Sequence, residues 1–268
     1  GANIGVLLGK IEYQRNVLFP EERNAYTNTF SNTYTLSGFY SKLGLLYLHT
    51  LNREEVKESN NNIAPRMVSI GLTYKPSIGI STNSDISNLN VYSLALDGNV
   101  NRGPATDTLS FSSDVAGNGN LPAELAFGLM YYGGTDFGLG LDYRKTFWSN
   151  YQNDANPESL EDTYKISLGG YFRPDYNDIN TFFNRVSYRL GVYYEQDPRL
   201  IDTERITSYG VTLGLGMPLA WQRKFSNLDL GLNIGKRSID GVLSETFAKI
   251  TFGFTFNESD WFIKRKFN

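Results

Sequence analysis

The sequence predicts an all-β protein, an antiparallel transmembrane β-barrel, and three observations carry that prediction. The first is strict period-two alternation, clearest where Tyr209, Val211, Leu213 and Leu215 share one parity and Gly210, Thr212, Gly214 and Gly216 the other. Successive strand side chains point to opposite faces, so such a segment has one oily face and one small or polar face. The second is the glycine on the polar parity, which cannot build a close-packed apolar core and suits a wall facing water or a lumen. The third is the absence of any apolar run long enough for a membrane helix, since the longest are Val6–Leu8 and Leu45–Leu48. A mean hydropathy of −0.35 fits the same picture, because a barrel places its apolar residues at every second position.

Taken in order, Ala2 to about Tyr13 reads as a first strand, with Ile4, Val6 and Leu8 against Gly5 and Gly9. Val17 to Thr33 reads as a polar loop, and Leu36 to Leu48 as a second strand, oily on both faces near its end. A charged connector, Leu51 to Pro65, leads to Met67–Lys75, where Val68, Ile70, Leu72 and Tyr74 alternate with Ser69, Gly71, Thr73 and Lys75. Pro76 to Asn120, rich in Ser, Asn, Asp and Gly, is expected to be a long irregular loop with a short extra strand at Val91–Leu96. Its apolar residues Ile78, Ile80, Leu94, Leu96 and Phe111 are more than a linker needs, which points to contact with a greasy ligand or another subunit.

Leu121–Tyr132 and Phe137–Arg144 form a hairpin about the turn Gly133–Asp136. Further strands follow at Tyr164–Gly169, Val186–Glu195, Tyr209–Gly216, Leu228–Gly235 and Ile250–Phe256, which makes about ten. Long joints at Val17–Thr33, Pro76–Asn120, Asn150–Asp162, Gln196–Glu204 and Lys236–Thr246 alternate with mostly shorter ones, the outer-membrane pattern of long outer loops and short periplasmic turns. Phe147 and Trp148 are then expected at the outer aromatic girdle, Trp221 and Phe225 at the inner one. The barrel domain is expected over residues 1–256, followed by a periplasmic tail over 257–268 that carries Lys264, Arg265 and Lys266. With Gly1 already inside a strand pattern and no signal peptide, the chain reads as a mature or truncated piece.

A formal charge of −3 gives no support for a nucleic-acid partner, and the lack of cysteine removes disulfides and thiolate metal sites. The single histidine, His49, falls near the periplasmic end of its strand and is expected to be an interface residue. No catalytic, cofactor or metal residue is expected: there is no His pair, and Asp107 and Asp114 lack EF-hand spacing. The polar parity carries Asp142, Arg144, Lys165, Arg189, Glu195 and Lys249, together with Lys75, Arg173 and Asp229. These charges are expected to face a lumen, where they either line a polar passage or pair across strands and brace a filled interior.

From Leu121 onward the chain resembles the outer-membrane long-chain fatty-acid transporter family, the FadL-type hydrophobic-compound channels. The likeness rests on Leu121-Pro122 opening a strand, Trp148-Ser149 with Gln152 closing the next, and the segments Gly38–Thr50, Leu72–Tyr74 and Tyr164–Gly169. It implies a bacterial outer-membrane channel for passive uptake of hydrophobic small molecules such as long-chain fatty acids. Its partners would be outer-membrane lipid and an apolar ligand. Members of that family have about fourteen strands and an N-terminal plug, so the present residues would be the C-terminal part of such a barrel. The alternative is a non-transport accessory barrel in a larger outer-membrane assembly, such as secretion or protein-insertion machinery, with other outer-membrane subunits as partners.

Overall fold

The computed structural model describes residues 1–18, 26–59, 63–96, 99–178, 180–201, 203–221, 224–239 and 243–255. Thirteen antiparallel strands form one sheet: β1 (Ala2–Val17), β2 (Tyr26–Thr50), β3 (Arg66–Lys75), β4 (Ile78–Leu96), β5 (Asn99–Leu121), β6 (Glu124–Gly133), β7 (Phe137–Thr146), β8 (Gln152–Asn153), β9 (Thr163–Phe172), β10 (Ser187–Ile201), β11 (Glu204–Trp221), β12 (Lys224–Ile239) and β13 (Leu243–Thr255). Ten of them follow the strands expected from alternation and make the wall, in the order β13-β12-β11-β10-β9-β7-β6-β3-β2-β1. Among the described residues β1 and β13 are not paired with each other.

The ladder registers turn parity into rows. On the apolar face, Leu139, Gly170, Leu190, Leu213, Leu232 and Ile250 lie side by side across six strands. Phe137, Phe172, Tyr188, Leu215, Leu230 and Phe252 form the row below, while Leu141, Leu168, Val192, Val211 and Ile234 form the row above. A row with Tyr143, Tyr194 and Tyr209 closes the upper edge. A chain of this mass would present about 12,000 Å² if it were packed as a compact water-soluble monomer. This one exposes 19213 Å², and Leu139, Leu190 and Leu213 are each about half open. The oily side is therefore a wall with nothing of its own to cover it, as expected of a barrel sheet that meets hydrocarbon. Wall strands of ten residues such as β6, β7 and β9 reach about 30 Å and, when tilted, match the apolar thickness of an outer membrane.

Several expectations need correction. The sheet has thirteen strands rather than about ten, and Pro76–Asn120 is not an irregular loop. It is largely the hairpin of β4 and β5, and β4 pairs with the front half of β2 from Tyr26 to Gly38. Residues 26–33, read as loop, belong to β2 and pair with β4, and from Asn28 onward with β1 as well. Together β1, β2, β4 and β5 raise a polar platform beyond the wall. One face of this platform is open and the other is buried, but beyond Ile80 the buried side chains of β4 are themselves polar, Thr82 and Ser84 against exposed Ser81 and Asn83, so period-two hydrophobicity passes over them. The joints at Gln196–Glu204 and Lys236–Thr246 are likewise mostly strand, for β10 runs to Ile201, β11 starts at Glu204, and β12 runs to Ile239. The Leu51–Pro65 connector holds a short helix, α1 (Arg53–Glu58), where Glu54 and Glu55 lie in the first turn and Lys57 in the last, as the helix dipole favours. The expected tail, 257–268, and the side chains of Trp221 and Phe225 lie outside the described residues.

Candidate functional site: the polar face and its strap

The six charged residues expected at a lumen share the polar face of the sheet, in four adjacent rows. Arg144, Lys165 and Glu195 stand in one row with Ser208, Arg237 and Glu245. Asp142 lies in the next row, with Ser167, Tyr193 and Phe247, then Lys249 with Asn233 and Thr212, then Arg189 with Tyr171. Lys165 Nζ reaches Glu195 Oε2 at 2.8 Å, and Arg189 Nη1 donates to Asp229 Oδ1 at 2.8 Å across the glycines of β11. A third pair, Lys42 Nζ to Glu124 Oε1 at 3.1 Å, escaped sequence reading because Lys42 sits in a stretch that is oily on both parities. All three pairs keep contact with solvent, so each contributes at most about 1 kcal/mol. Asp142, Arg144 and Lys249 form no ion pair among the described residues.

Large side chains lie over glycines on this face. A Cβ added at Gly138 would fall 2.5 Å from the Tyr171 ring and 2.7 Å from Met130 Cε, so the glycine is what lets those groups lie against the strand. The polar face is thus partly filled by its own residues. Leu46 and Leu48 break the rule: they stand on the polar parity, opposite Gly71 and Ser69, and are well exposed. The sequence signal for them was the doubled apolar run at Leu45–Leu48.

Above the wall, the segment 147–162 between β7 and β9 lies over the same face as a strap. On one side it is tied to the platform. β8 pairs with β5 at Asn120 and Gly119, the Asn118 amide donates to Asp154 Oδ2 at 2.8 Å, and Asn32 Nδ2 donates to the Ala155 carbonyl at 3.0 Å. A Cβ at Gly119 would stand 2.7 Å from the Gln152 carbonyl oxygen, so only a glycine lets the strap come that close. On its other side the strap is tied to the β10–β11 hairpin. The Glu161 amide donates to the Pro198 carbonyl at 2.9 Å, Arg205 Nη1 donates to the Asp162 carbonyl at 2.8 Å, and Arg205 also pairs with Glu161. Under the strap sits a small core of Tyr34, Ile78, Ile80 and Ala155, with Asn32, Thr82, Ser84 and Asn153 also buried. Burial, aided by the nearby Tyr13 and Tyr151 hydroxyls, pushes the Tyr34 phenol up to about 12, so it stays neutral and stacks on Tyr13 at 6.2 Å. These contacts are long-range and polar, and no local motif marks them.

Trp148, expected at the outer girdle, packs at the base of the strap against Tyr151, and Phe147 lies under Lys145. His49 lies one residue from the end of β2, exposed, with its ring stacked on Tyr47. No group of three or more His, Cys, Asp or Glu able to hold a metal occurs among the described residues.

A family model described as BamG matches residues 1–268. No curated protein matches the chain. Solved structures that resemble it are FadL-type hydrophobic-compound channels, the likeness expected from the sequence. The "CymD monoaromatic hydrocarbon channel" shares 15% identity over 96% of this chain and 77% of its own, with a TM-score of 0.41. A Pseudomonas aeruginosa FadL homologue shares 14% identity over 89% of this chain and 60% of its own, with a TM-score of 0.40. The Pseudomonas putida toluene transporter TodX shares 13% identity over 94% of this chain and 69% of its own, with a TM-score of 0.34.

Proposed function

The chain belongs to the BamG family, and from that premise we propose that it is a bacterial outer-membrane barrel subunit that supports a larger assembly, such as secretion or protein-insertion machinery. The observation that carries this reading is the way the chain fastens its own polar face. Ion pairs join β9 to β10 and, across β11, β10 to β12, Tyr171 and Met130 fill space over Gly138, and a strap tied at both ends lies across the top. Such a face resists deformation, which suits a scaffold. The platform of β1, β2, β4 and β5 adds a broad surface outside the bilayer, rich in Ser, Thr and Asn with charges such as Lys10, Glu12, Asp85 and Asp107, where a partner subunit would meet it.

The test is the mass of the particle released from native outer membranes by a mild detergent. The scaffold reading expects an assembly well above 30.2 kDa that contains a second outer-membrane barrel in fixed ratio. A particle holding this protein alone would overturn it.

Passive passage of hydrophobic small molecules is the second reading, favoured by Leu46 and Leu48. These are apolar side chains exposed on the otherwise polar face, where a greasy molecule would find a foothold. Purified protein in liposomes should then speed entry of a hydrophobic hydrocarbon or fatty acid, and Leu46→Asn with Leu48→Asn should abolish the gain. Entry no faster than in empty liposomes would end this reading. The chain has no assigned catalytic group under either reading.

A further inference from the structure

We propose that the strap is a lid over a cavity in the polar face, with a closed state and an open state in which it lifts from the platform. The inference rests on the membrane reading of the wall and goes beyond it by naming the moving part and what it covers. The cavity holds about 610 Å³, and its floor is Gly140, Gly169 and Gly191, one row in which three neighbouring strands carry no side chain. The two rows above hold Ser167, then Lys165 with Glu195, all of which line the same space. Lys165 is two residues below Thr163, where β9 leaves the strap, so the strap lies at the upper rim.

The strap crosses the mouth as a chord. It joins the neighbouring strands β7 and β9, yet it reaches β5 and β2 on one side and the β10–β11 hairpin on the other. β10 and β2 stand five steps apart in the sheet, about 24 Å at the usual strand spacing, so a segment that touches both lies over the interior. Its two ends are fastened to each other, for the Ser149 amide and hydroxyl both donate to Asp162 Oδ1, at 3.1 and 2.7 Å. A compact loop with joined ends can move as one body. On the hairpin side Arg205 holds the end beside β9, which makes that side the hinge. On the platform side the closed state carries an opposing cost. Asn32 Oδ1 and Thr82 Oγ1 are shut from solvent there and find no partner in the chain. Asn32 is the residue whose amide holds the Ala155 carbonyl, and the Thr82 hydroxyl meets the Asp154 side chain over Gly117, so both lie directly under the strap. A buried polar atom without a partner is unfavourable, and lifting the strap gives both atoms water. With only a small apolar core below it and polar ties that water can replace, the strap belongs to the low-stability end of the fold, from which lids are drawn.

Because the chain has no cysteine, labels can be placed cleanly. The full chain is folded into phospholipid nanodiscs with spin labels at Thr108→Cys on the platform and Glu158→Cys on the strap, and the distance between them is read by pulsed dipolar spectroscopy. In the Asp154→Ala background, which removes the acceptor of the Asn118 amide, two distances should appear. The ratio of the longer to the shorter should be about fivefold above that of the parent, the factor one ordinary hydrogen bond is worth. Thr82→Val, which replaces the unmet hydroxyl by a methyl group, should shift the population toward the shorter distance. In separate samples, Ser167→Cys on the cavity wall should react with a water-soluble thiol reagent about fivefold faster in the Asp154→Ala background and more slowly with Thr82→Val. A single distance in all three backgrounds, or a longer population that Thr82→Val leaves undiminished, would overturn the proposal. So would two distances with an unchanged labelling rate at 167, since the strap would then move without covering the cavity. Oxygen access to a spin label at Leu139→Cys reports the wall by itself: where it is high, these outcomes judge the lid alone, and where it is low, the membrane reading falls and the lid with it.

Discussion

Arg189 and Leu190 are neighbours in β10 on opposite faces, so exchanging their characters tests the facing of the wall with two substitutions. Leu190 stands between Gly170 and Leu213 in a row one step from the aromatic edge, and Arg189 pairs with Asp229 on the other side. An arginine on the lipid face near mid-bilayer costs about 2–4 kcal/mol, so Leu190→Arg should destabilise by about 2–3 kcal/mol at this depth. Arg189→Leu forfeits only a half-exposed ion pair, and its cost should stay within about 1 kcal/mol. Were Arg189 the lipid-facing residue, its replacement by leucine would instead stabilise the fold by about 2–4 kcal/mol. The assay is reversible denaturant unfolding in phospholipid vesicles, with both variants and the parent under one condition. A stabilised Arg189→Leu, or a harmless Leu190→Arg, would refute the assignment of faces.

Gly138→Val should destabilise the fold by about 1–3 kcal/mol in the same assay, because the new side chain collides with Tyr171 and Met130; an unchanged midpoint would show that this space is empty. Asp154→Ala removes the acceptor of the Asn118 amide and should loosen the strap by about 1 kcal/mol, read as about fivefold faster hydrogen exchange over 150–162 with the wall unchanged. Equal acceleration everywhere would mean that the strap is not a separate unit. Hydrogen bonds from Arg199 hold the Asp197 carboxyl below its ordinary 3.8, against the opposing effect of burial. A depressed folded value contributes stability above the unfolded one that is lost as pH falls through the folded one. Protection of the hairpin tip around 196–204 should therefore persist to below pH 3.8, and Arg199→Gln should move its loss upward; an acid limb that Arg199→Gln leaves in place would contradict the pairing.

The wall was legible from sequence because each of its strands faces two different surroundings, which writes period two into Leu139 and Gly140 or Leu213 and Gly214 alike. The sharing of one face by Asp142, Arg144, Lys165, Arg189, Glu195 and Lys249 follows from that parity once the ladders are in register. The platform was not legible. Where the buried face of a strand is as polar as its open face, as in β4 with Thr82 and Ser84 buried and Ser81 and Asn83 exposed, composition resembles a loop although the backbone pairs throughout. Nor was the strap, whose closure joins Asn32 to Ala155 and Asp162 to Arg205, partners far apart in the chain that only the fold brings together. The exposed Leu46 and Leu48 were visible as an irregularity, and the registers turned the irregularity into a place on the polar face.

Spin labels placed one at a time from residue 187 to 194 of β10 measure most directly whether alternate side chains meet different solvents. Oxygen, which concentrates in hydrocarbon, should reach Tyr188, Leu190, Val192 and Tyr194 best, while a water-soluble nickel complex should favour Ser187, Arg189, Gly191 and Tyr193, with the two profiles out of phase. Two profiles without alternation, or even positions shielded from both reagents, would place the leucines inside a protein core and contradict the membrane wall.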